Sequence, residues 1–594
     1  MRNRSKNLNR FVANYSVPIV VLTCLLLCFV GIVSRDLWTP DEPRAAAVSL
    51  AMSRSHNLVV PMLASEPFVE KPPLYFAVAG LFHKMLGPLF GDTGAIRLST
   101  TFWALGILWM TYLLGRQFLA PGKAWLALGV MATMEGFFEN ARWIRVDAAL
   151  SFFVIAAIWA LVEVYFKQRR WYAILAGIFA AGAFLSKGPI GLVMIAVAWI
   201  VMFMQALFFG GETGLGIRIK GIGERFRLLG IVPHLLAVVV LLALVAPWVY
   251  LIHESGKGIW QEWFWDNQIG RMMGTAENLS HIRKGKPFYY ITTLLLYSLP
   301  WTPLLIPWFW DKLKKLFRRR QLSPLEIFLF GWAVVGVVVL TSSATKRAIY
   351  IWPMMPVFAL IVADQLIHQK DKWLLVYGRA WQILMAVVLF VLGGLPLLAQ
   401  LIPALSDVVP PGSGDVLLTF GGWHAVVLLV GAILLGIYFA TRDREFLPAA
   451  MVFSTALFLG GAFLLAGQAV DREKSMREGL LAFVDGIPLE EHGSVASFGF
   501  NETMRAIFYY YADWSIDRLD AHVMGGDLEK ERENALRQVV MILQGKHPKY
   551  RSVVYAAKGT DIDIGDDMPA AKTLQLEQIN KDRVLARFGP LEGK

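Results

Sequence analysis

Runs of roughly 20 apolar residues, separated by short polar and basic breaks, recur from the N-terminal region to about position 470. A helix of that length crosses about 30 Å of hydrocarbon, so the pattern predicts a chain solvated largely by lipid. Such segments begin near residues 12, 100, 124, 147, 171, 189, 230, 288, 324, 349, 380, 418 and 448. They predict an α-helical polytopic membrane protein with about thirteen spans. The fifth and sixth are divided only by Ser186-Lys187-Gly188-Pro189, a hairpin-like break. The basic N-terminus followed by the apolar run from Phe11 to Val33 has the outline of a signal peptide. The run is longer than an ordinary signal core and no small-residue cleavage site follows, so it reads as an uncleaved anchor.

After Leu465 the pattern changes, with apolar residues thinning and charges becoming regular. Residues 494–500 and 553–557 read as strands, and 502–511 and 529–543 as helices. The expected organisation is a transmembrane domain over 1–469 and a small soluble α/β domain over 470–594, with an acidic, loop-like stretch around 561–567. No catalytic motif stands out in the second domain.

Composition sharpens this picture. Of 594 residues, 56% are hydrophobic and 17% charged, well below the roughly 25% charge of soluble domains. The 21 Trp and 38 Phe suit a protein with many interfacial belts. The formal net charge of +12 would raise nucleic acid as a partner for a soluble protein; here it is carried by loops between apolar spans and sets orientation instead. Cys24 and Cys28 lie one turn apart inside the first span and read as core residues. Basic clusters fall at the N-terminal tail, 167–170, 218–227, 312–320, 370–379 and 442–444. All lie on one side when the spans are counted. By the positive-inside rule that side is the cytoplasm, with the N-terminus inside and the C-terminal domain outside.

The opposite face carries the longer connections, about 34–98, 139–147, 186–189, 253–287 and 342–348, read as irregular loops. They hold Arg35, Arg44, Lys71, Arg97, Arg145, Lys187, Arg271, Lys284, Lys286, Lys346 and Arg347. Long loops tolerate charge as solvated surface. Lys71, Lys187 and Lys346, however, sit beside span ends among Pro and Gly, where an anionic headgroup would lie. The acidic signals on this face are Asp41 and Glu42 within Trp38-Thr39-Pro40-Asp41-Glu42-Pro43-Arg44, Glu70 within Glu70-Lys71-Pro72-Pro73, and Asp147 two residues after Arg145. Asp41-Glu42 reads equally well as a solvated acidic turn, and Asp147 as a simple partner of Arg145. An aspartate so close to an apolar span is costly unless paired or functional.

Sugar transfer from a lipid phosphate suits such a set. It asks for a carboxylate base for the acceptor hydroxyl and cations for the departing phosphate. A transporter would place charges midway through its spans, and these spans are apolar at their centres.

The order of these motifs resembles the GT-C membrane glycosyltransferases, and within them the bacterial aminoarabinose transferase and protein O-mannosyltransferase group. Further matching pieces are Leu185-Ser186-Lys187-Gly188-Pro189, Trp263 to Arg271, Lys286-Pro287-Phe288-Tyr289-Tyr290, Leu299-Pro300-Trp301 and Ser343 to Pro353; the resemblance covers roughly residues 30–365. It implies that Asp41 is the catalytic carboxylate and that Lys71, Arg271 and Tyr350 contact the phosphate of a polyprenyl carrier. Arg44, Glu70, Asp147 and Lys187 match other polar positions of that cavity. Asp147 stands beside Asp41 as a catalytic candidate, and Glu42 and Lys346 join the expected substrate-binding set. No cofactor is required by the sequence. The resemblance also admits a divalent metal, with Glu70 and either His253 or His281 as ligands, although no close-spaced ligand set is visible. One departure stands out: the group's motif often continues Arg-Tyr-Ala, whereas Arg44 is followed by Ala45-Ala46-Ala47.

The expectation is an inverting glycosyltransferase of the bacterial inner membrane with its C-terminal domain in the periplasm, its partners a polyprenyl-phosphate-linked sugar donor, an outer-face acceptor and the surrounding membrane lipids, with no nucleic acid. The acceptor is lipid A, a related envelope glycolipid, or a protein hydroxyl as in protein O-mannosyltransferases. Readings of other classes are a polyprenyl-lipid flippase or transporter, or a non-catalytic assembly protein with a periplasmic sensor domain.

Overall fold

The computed structural model describes residues 17–55, 57–208, 231–270, 288–318, 322–343, 346–368, 372–401, 429–433, 447–520, 528–558, 572–580 and 583–590. Among these, seven helices are long and apolar enough to cross a membrane, including Asp147–Lys167, Ile231–Glu254, Pro324–Ser342 and Leu447–Leu464. Apolar helices at Val17–Leu27, Tyr172–Lys187 and Ile190–Gln205 are shorter. The span expected from 418 lies mostly outside the described residues.

Four segments depart from the sequence reading. The described part of 253–287 is helical, over Lys257–Trp260 and Gln261–Gly270. The connection 34–98 is largely ordered: it holds the helix Asp41–Arg54, a hairpin of β1 (Met62–Leu63) and β2 (Glu66–Pro67), and the start of the helix Leu74–Phe118. Pro40 and Pro73 take near-helical backbone angles and start the two helices, and Ala45-Ala46-Ala47 are strong helix formers. The 45-residue Leu74–Phe118 helix breaks at Gly91, whose φ of 68° only glycine adopts readily, so it forms two helical segments joined at a kink. The segments starting at 124 and 288 are each split, into Trp125–Ala132 with Glu135–Asn140 and Tyr289–Tyr297 with Thr302–Phe317. The two breaks meet, the Glu135 N–H donating to the Leu299 carbonyl at 3.0 Å. In the first break the Thr133 hydroxyl donates back to the Gly129 carbonyl at 2.6 Å; in the second, Pro300 removes a helical donor.

The helix Asp147–Lys167, roughly 30 Å long, has polar clusters at both ends. Asp147 meets Lys187 at one end, and Glu163 meets Gln117 and Arg169 at the other. The second end is the basic-loop end.

Leu447–Lys474 runs through the expected boundary at 469/470 and leads into a mixed α/β unit. Its sheet has the order β4 (Asp517–Arg518), β3 (Val495–Phe498), β5 (Ser552–Lys558), β7 (Arg583–Gly589), β6 (Lys572–Asn580). β3 pairs parallel with β4 and β5, while β7 pairs antiparallel with β5 and β6. Alternation places Val495, Val554 and Leu585 against helices Arg477–Asp485 and Glu502–Ala512, and Ala496, Val553 and Ala586 against Leu528–Leu543. The four elements read from the sequence are present. β6 and β7 were not read because their charged residues hide the alternation, and residues 561–567 lie outside the described residues.

Candidate functional site

Asp41 opens its helix, and its carboxylate gathers three arginines from distant parts of the chain. Oδ1 accepts from Arg44 Nη2 at 2.8 Å; Oδ2 accepts from Arg347 Nη2 at 2.5 Å and lies 3.2 Å from Arg145 Nη2. Burial favours the protonated acid, but the three guanidinium groups outweigh it and hold the carboxyl at about 2. Arg145 is braced by Asn140 Oδ1 at 2.8 Å and lies 4.0 Å above the Trp143 ring. Arg347, half exposed, is the most accessible of the three.

Adjacent in sequence, Glu42 does something different. An α-helix turns about 100° per residue, so it points away from Asp41 into the protein. It is fully buried and accepts from Arg35 at 2.5 and 3.0 Å, from Arg97 at 3.2 Å, and from the N–H groups of Trp38 and Ile144 at 2.8 and 3.0 Å. Arg35 and Arg97 overcome the burial cost and lower its carboxyl to about 2. Glu42 was expected among substrate-binding residues. The structure gives it no exposed surface and instead makes it the hub that fixes the start of the helix and the 142–144 turn.

A second group lies alongside. Lys187 Nζ donates to Asp147 Oδ1 and sits 4.7 Å above the Tyr350 ring. The local pairing read from sequence is therefore exchanged: Asp147 takes Lys187, and Arg145 takes Asp41. Lys187 closes its helix, and Gly188 follows with φ 80° and ψ −159°, a region nearly restricted to glycine. An added Cβ there would lie 2.6 Å from Gln268 Oε1. Gly188→Ala is expected to cost about 1–3 kcal/mol and displace Lys187. A lower thermal midpoint in detergent checks this, and an unchanged midpoint contradicts it.

Glu70 and Lys71 form a third group. Glu70 Oε1 lies 3.0 Å from Lys71 Nζ and its Oε2 3.9 Å from Arg44 Nη1. Arg44 thus links this group to Asp41. Lys346 turns its ammonium back to the Ser343 carbonyl at 2.7 Å. Arg271 and His281 lie outside the described residues. His253 is exposed and engages Glu254 at 3.5 Å and the Trp260 ring. Among the described residues no three His, Cys, Asp or Glu side chains come together to hold a metal. Glu70 sits between two cations, Lys71 and Arg44.

Structure therefore assembles Asp41, Arg44, Glu70, Lys71, Asp147 and Lys187 from three separate connections with Tyr350 of the short helix Ala348–Met354. It adds Arg145 and Arg347, both visible as basic residues of the outer loops but with no sequence signal for their partner. It also adds Glu502, 2.5 Å from Arg44 Nη1, which no motif marks.

Comparison with known proteins fits this arrangement. The family profile described as dolichyl-phosphate-mannose-protein mannosyltransferase matches residues 70–211. The chain is 29% identical over 403 residues to an undecaprenyl phosphate-alpha-4-amino-4-deoxy-L-arabinose arabinosyl transferase of Shewanella sediminis, covering 64% of this chain and 67% of that one. It is 28% identical over 364 residues to a second such transferase of Proteus mirabilis, covering 60% of each. For most of these relatives, the matched region spans less than two thirds of their length. The crystal structure of ArnT from Cupriavidus metallidurans bound to undecaprenyl phosphate superposes with a TM-score of 0.68 at 18% identity, over 96% of this chain and 97% of that one. The chain shares the fold of that ArnT structure. In sequence it resembles the aminoarabinose transferases.

Proposed function

We propose that this chain is an inverting glycosyltransferase that takes 4-amino-4-deoxy-L-arabinose, or a closely related sugar, from an undecaprenyl-phosphate carrier. The acceptor is lipid A or a related envelope glycolipid at the outer face of the inner membrane. The observation that carries this reading is one buried carboxylate, Asp41, held by three arginines beside two lysines, Lys71 and Lys187, at one end of the helix bundle. The transferase relatives and the fold support it. The same cluster lies on the face that the basic loops leave outside, in line with a periplasmic α/β unit.

In this mechanism the acceptor oxygen attacks the anomeric carbon from the face opposite the carrier. The bond from that carbon to the phosphate oxygen breaks, and the undecaprenyl phosphate leaves with the electron pair. Asp41 accepts the acceptor proton. Lys71, Lys187, Lys346 and Arg347 neutralise the charge that grows on the phosphate, and the resemblance adds Arg271. Tyr350 borders the site under Lys187, and Asp147 acts through Lys187 by fixing its ammonium. Without donor, Asp41 is too tightly held to be an effective base. A phosphate competing for Arg347 loosens that hold and raises the carboxyl's affinity for a proton, so donor binding prepares the base.

Arg347→Gln tests this directly. The variant is expected to raise the Kd for undecaprenyl phosphate about tenfold to a hundredfold, the worth of a charge-assisted hydrogen bond. An unchanged Kd in a detergent-solubilised binding assay would remove Arg347 from the phosphate site.

A further inference from the structure

One helix of the α/β unit belongs to two cores. In Glu502–Ala512, Met504, Ile507 and Phe508 line the α/β core, whereas Ala506 and Tyr510 pack into the core of the membrane helices. Polar contacts around it grip the segment that carries Asp41. The Thr503 hydroxyl donates to the Pro40 carbonyl at 3.4 Å, the Leu37 N–H donates to Tyr511 Oη at 3.1 Å, and Arg505 and Arg518 both bind Glu66 of the hairpin. At the start of the helix Glu502 Oε2 accepts from Arg44 Nη1 at 2.5 Å, while Arg44 Nη2 reaches Asp41 at 2.8 Å.

We propose that Glu502 is a positioning residue for sugar transfer, so that the α/β unit completes the catalytic site by orienting Arg44 against Asp41. The proposal rests on the reading of Asp41 as the base. A guanidinium presents its donors in a rigid fork, and one arm committed to Glu502 leaves a single arm for Asp41. Without Glu502, Arg44 clamps Asp41 with both arms or swings toward Glu70, 3.9 Å away. The first makes Asp41 a poorer proton acceptor and the second moves it off line. Glu502 is itself about two-fifths exposed, so its ion pair adds little to stability and its effect falls on turnover.

The full-length protein in detergent, with undecaprenyl phosphate-linked 4-amino-4-deoxy-L-arabinose as donor and lipid A as acceptor, gives the test. Glu502→Gln is expected to lower kcat about tenfold with donor KM within about twofold, and Glu502→Asp to recover part of the loss. Asp513→Asn breaks a different contact between the two units, the exposed pair with Arg54 at the far end of the Asp41 helix, and is expected to keep kcat. In an Arg44→Gln background Glu502→Gln is expected to add less than about twofold, because both changes act on one interaction. Wild-type kcat in Glu502→Gln, an equal loss in Asp513→Asn, or full additivity with Arg44→Gln would each overturn the proposal. Asp41→Asn measured alongside separates the two levels. If Asp41→Asn is inactive while Glu502→Gln is normal, only the positioning role fails; if Asp41→Asn transfers sugar normally, the base assignment fails with it.

Discussion

Asp41→Asn is expected to lower the turnover of sugar transfer by roughly 10²- to 10⁴-fold, the usual contribution of a positioned general base. Asparagine keeps the size and an acceptor oxygen for one arginine, but it can take no proton. It also removes the charge that gathers Arg44, Arg145 and Arg347, leaving these cations more available to phosphate. The affinity for undecaprenyl phosphate is therefore expected to hold or rise while kcat collapses. Parallel loss of binding and turnover would indicate a collapsed site, and wild-type kcat would exclude Asp41 as the base. The pH profile adds a check. With its carboxyl brought down to about 2, Asp41 stays ionised in the free enzyme, so kcat/KM should show no Asp41 titration from neutral pH down to about 4.

Glu42→Gln is expected to destabilise the protein by about 3–5 kcal/mol, because it leaves Arg35 and Arg97 buried without their counter-charge. Gln retains an oxygen for the Trp38 or Ile144 N–H, so the change isolates the charge rather than the shape. The sign with pH follows from the lowered carboxyl. The stabilisation from Glu42 is complete above its ordinary value of 4.5 and is lost as pH falls toward about 2. Thermal unfolding in detergent should show a large drop for Glu42→Gln at neutral pH and a smaller one as the wild type is acidified. Equal midpoints at neutral pH would contradict the hub role.

These two neighbours show what the sequence can and cannot convey. Both were legible as an acidic pair after the first span, yet the helix that begins at Asp41 sends one into the arginine cluster and the other into a sealed core. Lys71 and Lys187 were legible because a cation at a span end beside Pro or Gly is conspicuous. Arg347 was visible as a charge but not as a partner of Asp41, since that contact joins residues 306 apart and depends on how the spans pack. Glu502 was illegible for the same reason: an acidic residue in the first turn of an amphipathic helix is ordinary, and only docking of the α/β unit brings it to Arg44. Spans with uninterrupted apolar cores, such as Asp147–Lys167, were read almost to the residue. Those around 124 and 288 were not, because their breaks are stabilised by contact with each other. Ala45-Ala46-Ala47, a departure from the group's motif in sequence, also has a plain structural role as the buried interior of the Asp41 helix.

The activity proposed for this chain is transfer of a sugar from a polyprenyl phosphate to an outer-face lipid. Mass spectrometry of envelope lipids from otherwise identical cells, with the wild-type chain, with Asp41→Asn and without the chain, tests it most directly. A fixed mass increment, equal to one sugar residue, is expected on lipid A or a related glycolipid only with the wild type. The undecaprenyl-phosphate-linked sugar is expected to accumulate in the other two. The same increment in all three strains, or envelope lipids unchanged by the wild-type chain, would contradict it.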